Sequence, residues 1–275
     1  FLTLIYYDIY EALGNFFFFF NKKEINKAVE ICIERDNLES FKFLLNNGYK
    51  RNDKKLLDSI VKQNGTKIID YLFKHKLDIH SKNDRALIKS SLLRNLILVK
   101  YLIENGANIH TRDDQALKRA SSRGYLEVVK FLIENKANIH AQHNYALIMA
   151  SEKGHLEVVK YLIENGANIH SCNNHALVSA SSNGHLEVVR YLIENYANIH
   201  ARDDGALIEA SRNKHLEIVK YLIENGADIH ARDDQALIEA SRNKHLKVVE
   251  FLIKNGANVH AQNDEALIEA SINGN

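Results

Sequence analysis

A histidine stands at positions 80, 110, 140, 170, 200, 230 and 260, a spacing of 30 with no slippage. The segment 141–170 reads AQHNYALIMASEKGHLEVVKYLIENGANIH, and 81–110, 111–140, 171–200, 201–230 and 231–260 follow the same pattern. Self-similarity of this kind means a stack of small supersecondary units. Each unit is too small to bury its apolar face alone and does so against its neighbours.

Every unit holds two helix patterns. In the first, ALIMAS, Ala146, Leu147 and Ala150 are the apolar positions, and their small size allows close approach to neighbours. The preceding Asn144 (Asp114, Asp204 and Asp234 in sister units) is placed to cap that helix by accepting a backbone N–H bond. The pairs Asp113-Asp114, Asp203-Asp204 and Asp233-Asp234 are read the same way, as caps that complement the helix dipole. In the second pattern, HLEVVKYLIEN, Leu156, Val159, Leu162 and Ile163 form an apolar stripe. Glu157 with Lys160, and Lys160 with Glu164, make solvated pairs on the other face. Gly166 ends this helix.

The run GHLEVVKYLIENGANI at 154–169 resembles the second half of an ankyrin repeat, and it recurs from unit to unit. The resemblance implies an all-α fold: an ankyrin-type helical repeat solenoid of helix-turn-helix units. Ankyrin units carry T-P-L-H-x-A and run to about 33 residues. Here Tyr145-Ala146-Leu147-Ile148-Met149-Ala150 stands in that place, and the chain has no proline. Relative to the family the loop is about three residues short. The hairpin finger is therefore expected to shrink to a tight turn, which argues against finger-mediated binding. The 30-residue form is similar to ankyrin proteins of amoeba-infecting giant viruses. That similarity implies a viral, intracellular protein, located in the host cytoplasm and engaging a host protein.

The array divides into an apolar leader or cap at 1–22, two degenerate repeats at 23–80, six regular repeats at 81–260 and a truncated ninth repeat at 261–275. The five phenylalanines at 16–20 are read either as a cap buried on the first repeat or as an unstructured leader. The ninth unit has its first helix, ALIEAS at 266–271, without a second. That helix is expected to fray or to leave an apolar patch. An opening Phe and an incomplete last unit suggest a fragment of a longer reading frame.

Composition narrows the function. Lys plus Arg is 36 and Asp plus Glu is 35, which disfavours a dedicated nucleic-acid binder. Residues 21–100 nevertheless carry 18 Lys/Arg against 10 Asp/Glu. Cys32 and Cys172 lie several repeats apart, beyond disulfide reach, and suit a reducing, cytoplasmic compartment. The most apolar stretch, 1–20, is interrupted by Asp8 and Glu11, so neither a membrane span nor a signal peptide is expected.

No catalytic, cofactor or metal site is expected. Equivalent histidines in stacked helical layers lie about 8–10 Å apart, whereas a zinc ion needs each nitrogen within about 2.1 Å. The period-30 histidines are read as hydrogen-bonding the loop. His155, His185, His215 and His245 open the second helix and are read as tying the inter-helix turn through a backbone bond. Ser151 and its sisters at 121, 181, 211, 241 and 271 are read as small residues with a local hydrogen bond.

Comparison of the units separates a constant scaffold from three variable positions. These read Arg85, Lys89, Leu92; Gln115, Arg119, Ser122; Tyr145, Met149, Glu152; His175, Ser179, Ser182; Gly205, Glu209, Arg212; and Gln235, Glu239, Arg242. An i, i+4, i+7 spacing puts them on one face of the first helix. By the resemblance that face lines a concave groove, so the stripe is the candidate partner-binding surface of a monomeric protein-interaction scaffold, not an enzyme. Two alternatives stay open. One is the recognition array of a larger protein, such as an enzyme or a ubiquitin-ligase adaptor. The other is weak nucleic-acid binding through the basic N-terminal third.

Overall fold

The computed structural model describes residues 21–63 and 66–272, so the phenylalanine run at 16–20 lies outside the described residues. Among the described residues all regular structure is helical. In chain order the helices are α1 (Lys22–Glu34), α2 (Leu38–Asn46), α3 (Asp53–Ile60), α4 (Lys67–Lys74), α5 (Ser81–Leu92), α6 (Leu96–Glu104), α7 (Thr111–Ser122), α8 (Leu126–Glu134) and α9 (Ala141–Glu152). They continue as α10 (Leu156–Glu164), α11 (Ser171–Ser182), α12 (Leu186–Glu194), α13 (Ala201–Arg212), α14 (Leu216–Glu224), α15 (Ala231–Arg242), α16 (Leu246–Lys254) and α17 (Ala261–Ile272). Two compact units result. One holds the described residues up to Ala120 together with Lys130–Ala137; the other holds Ser121–Val129 and the described residues from Asn138 onward.

In the second unit each first helix packs on the first helix of the next repeat, α9 on α11, α11 on α13, and so to α17. Ala146, Leu147 and Ala150 are buried there, as are their equivalents in the next three repeats. The short alanines are what let these axes approach. On α10 the buried positions are Val158, Val159 and Leu162, while Leu156 and Ile163 are half-buried. The core stripe is thus rotated from the expected one toward Val158. The Lys160–Glu157 pair forms at 2.9 Å.

The shortened loop is built in an unusual way. Arg112, Asp113 and Asp114 all take left-handed backbone angles, with φ of 53°, 54° and 56°. The same triplet recurs at 142–144, 172–174, 202–204, 232–234 and 262–264. Such a conformation costs L-residues roughly 1–2 kcal/mol each and is best tolerated by Asn, Asp and His. This explains why Asp, Asn or His fills the second position of every triplet and Asp or Asn the third.

Asn144, Asp204 and Asp234 bond a backbone N–H of the loop rather than capping their own helix as expected. Asp204 Oδ1 accepts the backbone N–H of Asp228 at the far end of the same repeat at 2.9 Å, and faces His200 Nδ1 of the preceding repeat at 3.2 Å. His230 N–H in turn donates to Asp228 Oδ1 at 2.9 Å. Asn144 with Asn168, Asn174 with Asn198, and Asp234 with Asn258 repeat the first bond at 2.8 Å. A hydrogen-bonded spine therefore runs along the loops of the second unit, and the period-30 histidines are members of it.

The histidines that open the second helices also act between repeats. His155 Nε2 lies 3.2 Å from the carbonyl oxygen of Ser122, and His185, His215 and His245 repeat this on Glu152, Ser182 and Arg212 at 2.9–3.1 Å. A Cβ added at Gly154 would come within 2.4 Å of the His185 ring, so the glycine makes room for the tie. Upstream, other chemistry closes the same seam. Asp36 caps α4 through the N–H groups of Thr66, Lys67 and Ile68, and Asn95 donates to the carbonyls at the end of α3. The serines correct a second expectation. The hydroxyls of Ser121, Ser151, Ser181 and Ser211 are buried with no hydrogen-bond partner, whereas Ser91 does bond the carbonyl of Leu87 at 2.8 Å. Small volume between close helices is the role left to those four.

At the second-helix end, Gly106, Gly166, Gly226 and Gly256 have φ of 91–103°. Tyr196 occupies the same place with φ 69°, and is 86% exposed. A Cβ added to any of those glycines would meet nothing within 4 Å, so the backbone alone is the constraint. Tyr196→Gly is therefore expected to raise stability by about 1 kcal/mol, read as a shifted urea midpoint. In α17, Leu267 and Ile268 are each 46% exposed where Leu237 and Ile238 are buried.

Candidate interaction surface

In the first unit, Arg85 and Arg119 are exposed, and Lys89, Leu92 and Gln115 are half-buried. Lys89 is ion-paired with Asp58. Between these positions lies a residue that the sequence pattern does not single out. Lys118 occupies the place of Ile148, Val178, Ile208 and Ile238, and is 3% exposed. Its Nζ donates to the carbonyl of Arg112 at 3.3 Å. Burial pushes its ammonium pKa down; Asp113 and Asp114 oppose this and Arg119 reinforces it. The aliphatic stem fills apolar space while the charge reaches back to the loop.

In the second unit, Tyr145 and Arg242 are exposed. Ser122, Met149, Glu152, His175, Ser182, Glu209, Arg212 and Gln235 are half-buried, while Ser179 and Glu239 are buried at 8% and 5% exposure. The charged members are brought together as a ladder. Arg212 reaches Glu209 at 2.5 Å and Glu239 at 2.9 Å. Arg242 reaches Glu239 at 3.1 Å, Glu265 at 3.3 Å and Glu269 at 2.8 Å. Gln235 adds a bond to Glu239 at 2.9 Å. Burial drives the Glu239 pKa up, but the hydrogen bonds and charges of Arg212, with Gln235 and Arg242, outweigh it and leave the group below the ordinary carboxylate range. Arg212 and Arg242 are raised, chiefly by their hydrogen bonds to Glu239 and Glu269.

Gly205 interrupts the row of side chains. Five sister positions carry Arg85, Gln115, Tyr145, His175 and Gln235, so the helix backbone does not require glycine here. Its absent side chain leaves a pit of about 330 Å³, lined by Val178, Ile208, Arg202, Arg212, Arg232, Glu209 and Gln235. Arg202 donates to the carbonyl of Cys172 at 2.9 Å and lies 2.8 Å from His175 Nδ1. Burial, and then the Arg202 charge, push the His175 pKa down, so the ring stays neutral at pH 7. Arg202 and Arg232 sit in the loop triplets, so reading the first helix alone could not associate them with the stripe.

Among the described residues there is no group of three or more His, Cys, Asp or Glu that could hold a metal ion, and no helix long and apolar enough to cross a membrane. A family model for ankyrin repeats in three copies matches residues 57–143, 117–203 and 202–263. The chain belongs to the ankyrin repeat family. Ankyrin repeats generally mediate protein–protein interactions, and a protein partner is accordingly the class of ligand for this ankyrin array. Among curated proteins none matches the chain.

Proposed function

We propose that this ankyrin array is a scaffold that binds a partner protein along the first-helix face, in the cytoplasm. The observation that carries this is the split within each first helix. Ala146 and Leu147 are buried and constant between repeats, while Tyr145 on the same helix turn is exposed and differs in every neighbouring repeat. A rigid helical face loses little entropy when a partner docks. Tyrosine is also enriched among residues that dominate binding energy. In the first unit the face is cationic at Arg85 and Arg119, and in the second its charges at Glu209, Arg212, Glu239 and Arg242 are internally paired; each would favour a partner of matching polarity.

The test compares three baits in eukaryotic lysate by mass spectrometry. They are the full chain, a variant with Arg85→Ala, Arg119→Ala, Tyr145→Ala and Met149→Ala, and a variant with Glu157→Ala and Lys160→Ala on the outer face of α10. A protein held by the first and third baits and lost from the second is the expected result. Equal recovery by all three would remove the first-helix face as the binding surface.

A further inference from the structure

The pit over Gly205 combines three features. Its floor is apolar, from Val178 and Ile208, and its rim carries three guanidinium groups against one carboxylate. That carboxylate, Glu209, is already held by Arg212, and Arg212 is also bonded to Glu239. Arg232 lies 3.5 Å from Asp203. Arg202 differs from both. Its hydrogen bonds go to a backbone carbonyl and an imidazole, with no carboxylate partner. A half-buried guanidinium with only neutral acceptors is an incomplete charge pair, and guanidinium prefers a carboxylate in a bidentate fork.

We propose that this pit is a recognition socket for an acidic side chain of the partner protein, with Arg202 as the anchor for its carboxylate. The inference rests on the first-helix face being the interaction surface. A glutamate fits the two surfaces in order: its methylenes lie on Val178 and Ile208, and its carboxylate reaches Arg202 under the field of Arg232 and Arg212. Glycine at 205 is what keeps the socket open, because any side chain placed there projects into it. The Cβ alone would stand 3.1 Å from Cβ of Arg202 and 3.8 Å from Cγ2 of Val178.

The experiment is an NMR titration of the full chain with N-acetylglutamate N-methylamide as probe. Parallel arms use the glutamine analogue and inorganic phosphate. The amide of Gly205 and the Nε–Hε group of Arg202 are expected to shift with the glutamate probe, with the glutamine probe about tenfold weaker or worse. Arg202→Gln and Gly205→Tyr are expected to abolish the response, while Lys220→Gln on α14 retains it. Gly205→Tyr keeps the fold, since Tyr145 occupies the equivalent position, and circular dichroism checks this. No shift, equal response to the glutamine probe, phosphate matching the glutamate probe, or a response surviving Gly205→Tyr would each overturn the socket. A partner lost on changing Tyr145 and Met149 but retained by Gly205→Tyr would overturn the socket alone and leave the binding face standing.

Discussion

Replacing Glu239 by alanine is expected to lower stability by about 2 kcal/mol near pH 7, the scale of hydrogen bonds to a charged group. The carboxylate accepts from Arg212, Arg242 and Gln235 and is nearly closed off from water. The loss stops short of the ~3–5 kcal/mol typical when a fully buried pair is broken, because both arginines keep other carboxylates and part of their solvation. The folded-state pKa lies below the ordinary value. The stabilisation is therefore fully present above the unfolded carboxylate value near 4.3, and is lost as pH falls through the lower folded value. Urea midpoints of the two proteins should differ at pH 7 and converge at the acid end. A constant difference across that range would show that packing, not charge, carries the effect.

Lys118→Ile is expected to raise stability by about 1–2 kcal/mol at pH 7. A charge in a nearly closed position with a single carbonyl partner is replaced by the apolar residue that sister repeats hold there. The gain is set below that of a fully buried ammonium because the stem already covers apolar surface and the charge lies beside the loop. Here the folded pKa is depressed by burial. The folded chain releases its proton first, so the stability of the parent protein rises with pH between the folded value and the unfolded value near 10.4. The advantage of the isoleucine should therefore shrink in alkaline urea titrations. A variant less stable than its parent at pH 7 would mean that the bond to the Arg112 carbonyl organises the loop.

Individual residues show which signals a sequence exposes. The helical pairs are legible because Leu147, Val159 and Leu162 recur at helical spacing under a fixed period. The role of Asp204 is not, because left-handed turns and helix caps draw on the same residue types and only geometry separates them. Val158 escapes notice because a stripe drawn from Leu156 through Ile163 passes beside it. Lys118 looks like a surface lysine because periodicity reports residue type and not burial. The variable face is readable from internal comparison. Its charge ladder and its socket are not, since Arg202 and Arg232 enter from a different segment of each unit than Glu209 and Gly205 do.

The histidine ties have a consequence for how such a chain can change in length. Each second helix from His155 to His245 meets, through its opening ring, the backbone carbonyl that ends the first helix of the preceding repeat. The joint is thus identical at each step and carries a direction. A whole 30-residue block can be copied or deleted and the new neighbours still interlock, whereas a block of any other size leaves a joint without its acceptor. Segments 201–230 and 231–260, alike at 22 of 30 positions, are what such block-wise growth produces. Surface novelty can then accumulate on each copy while the joints stay interchangeable.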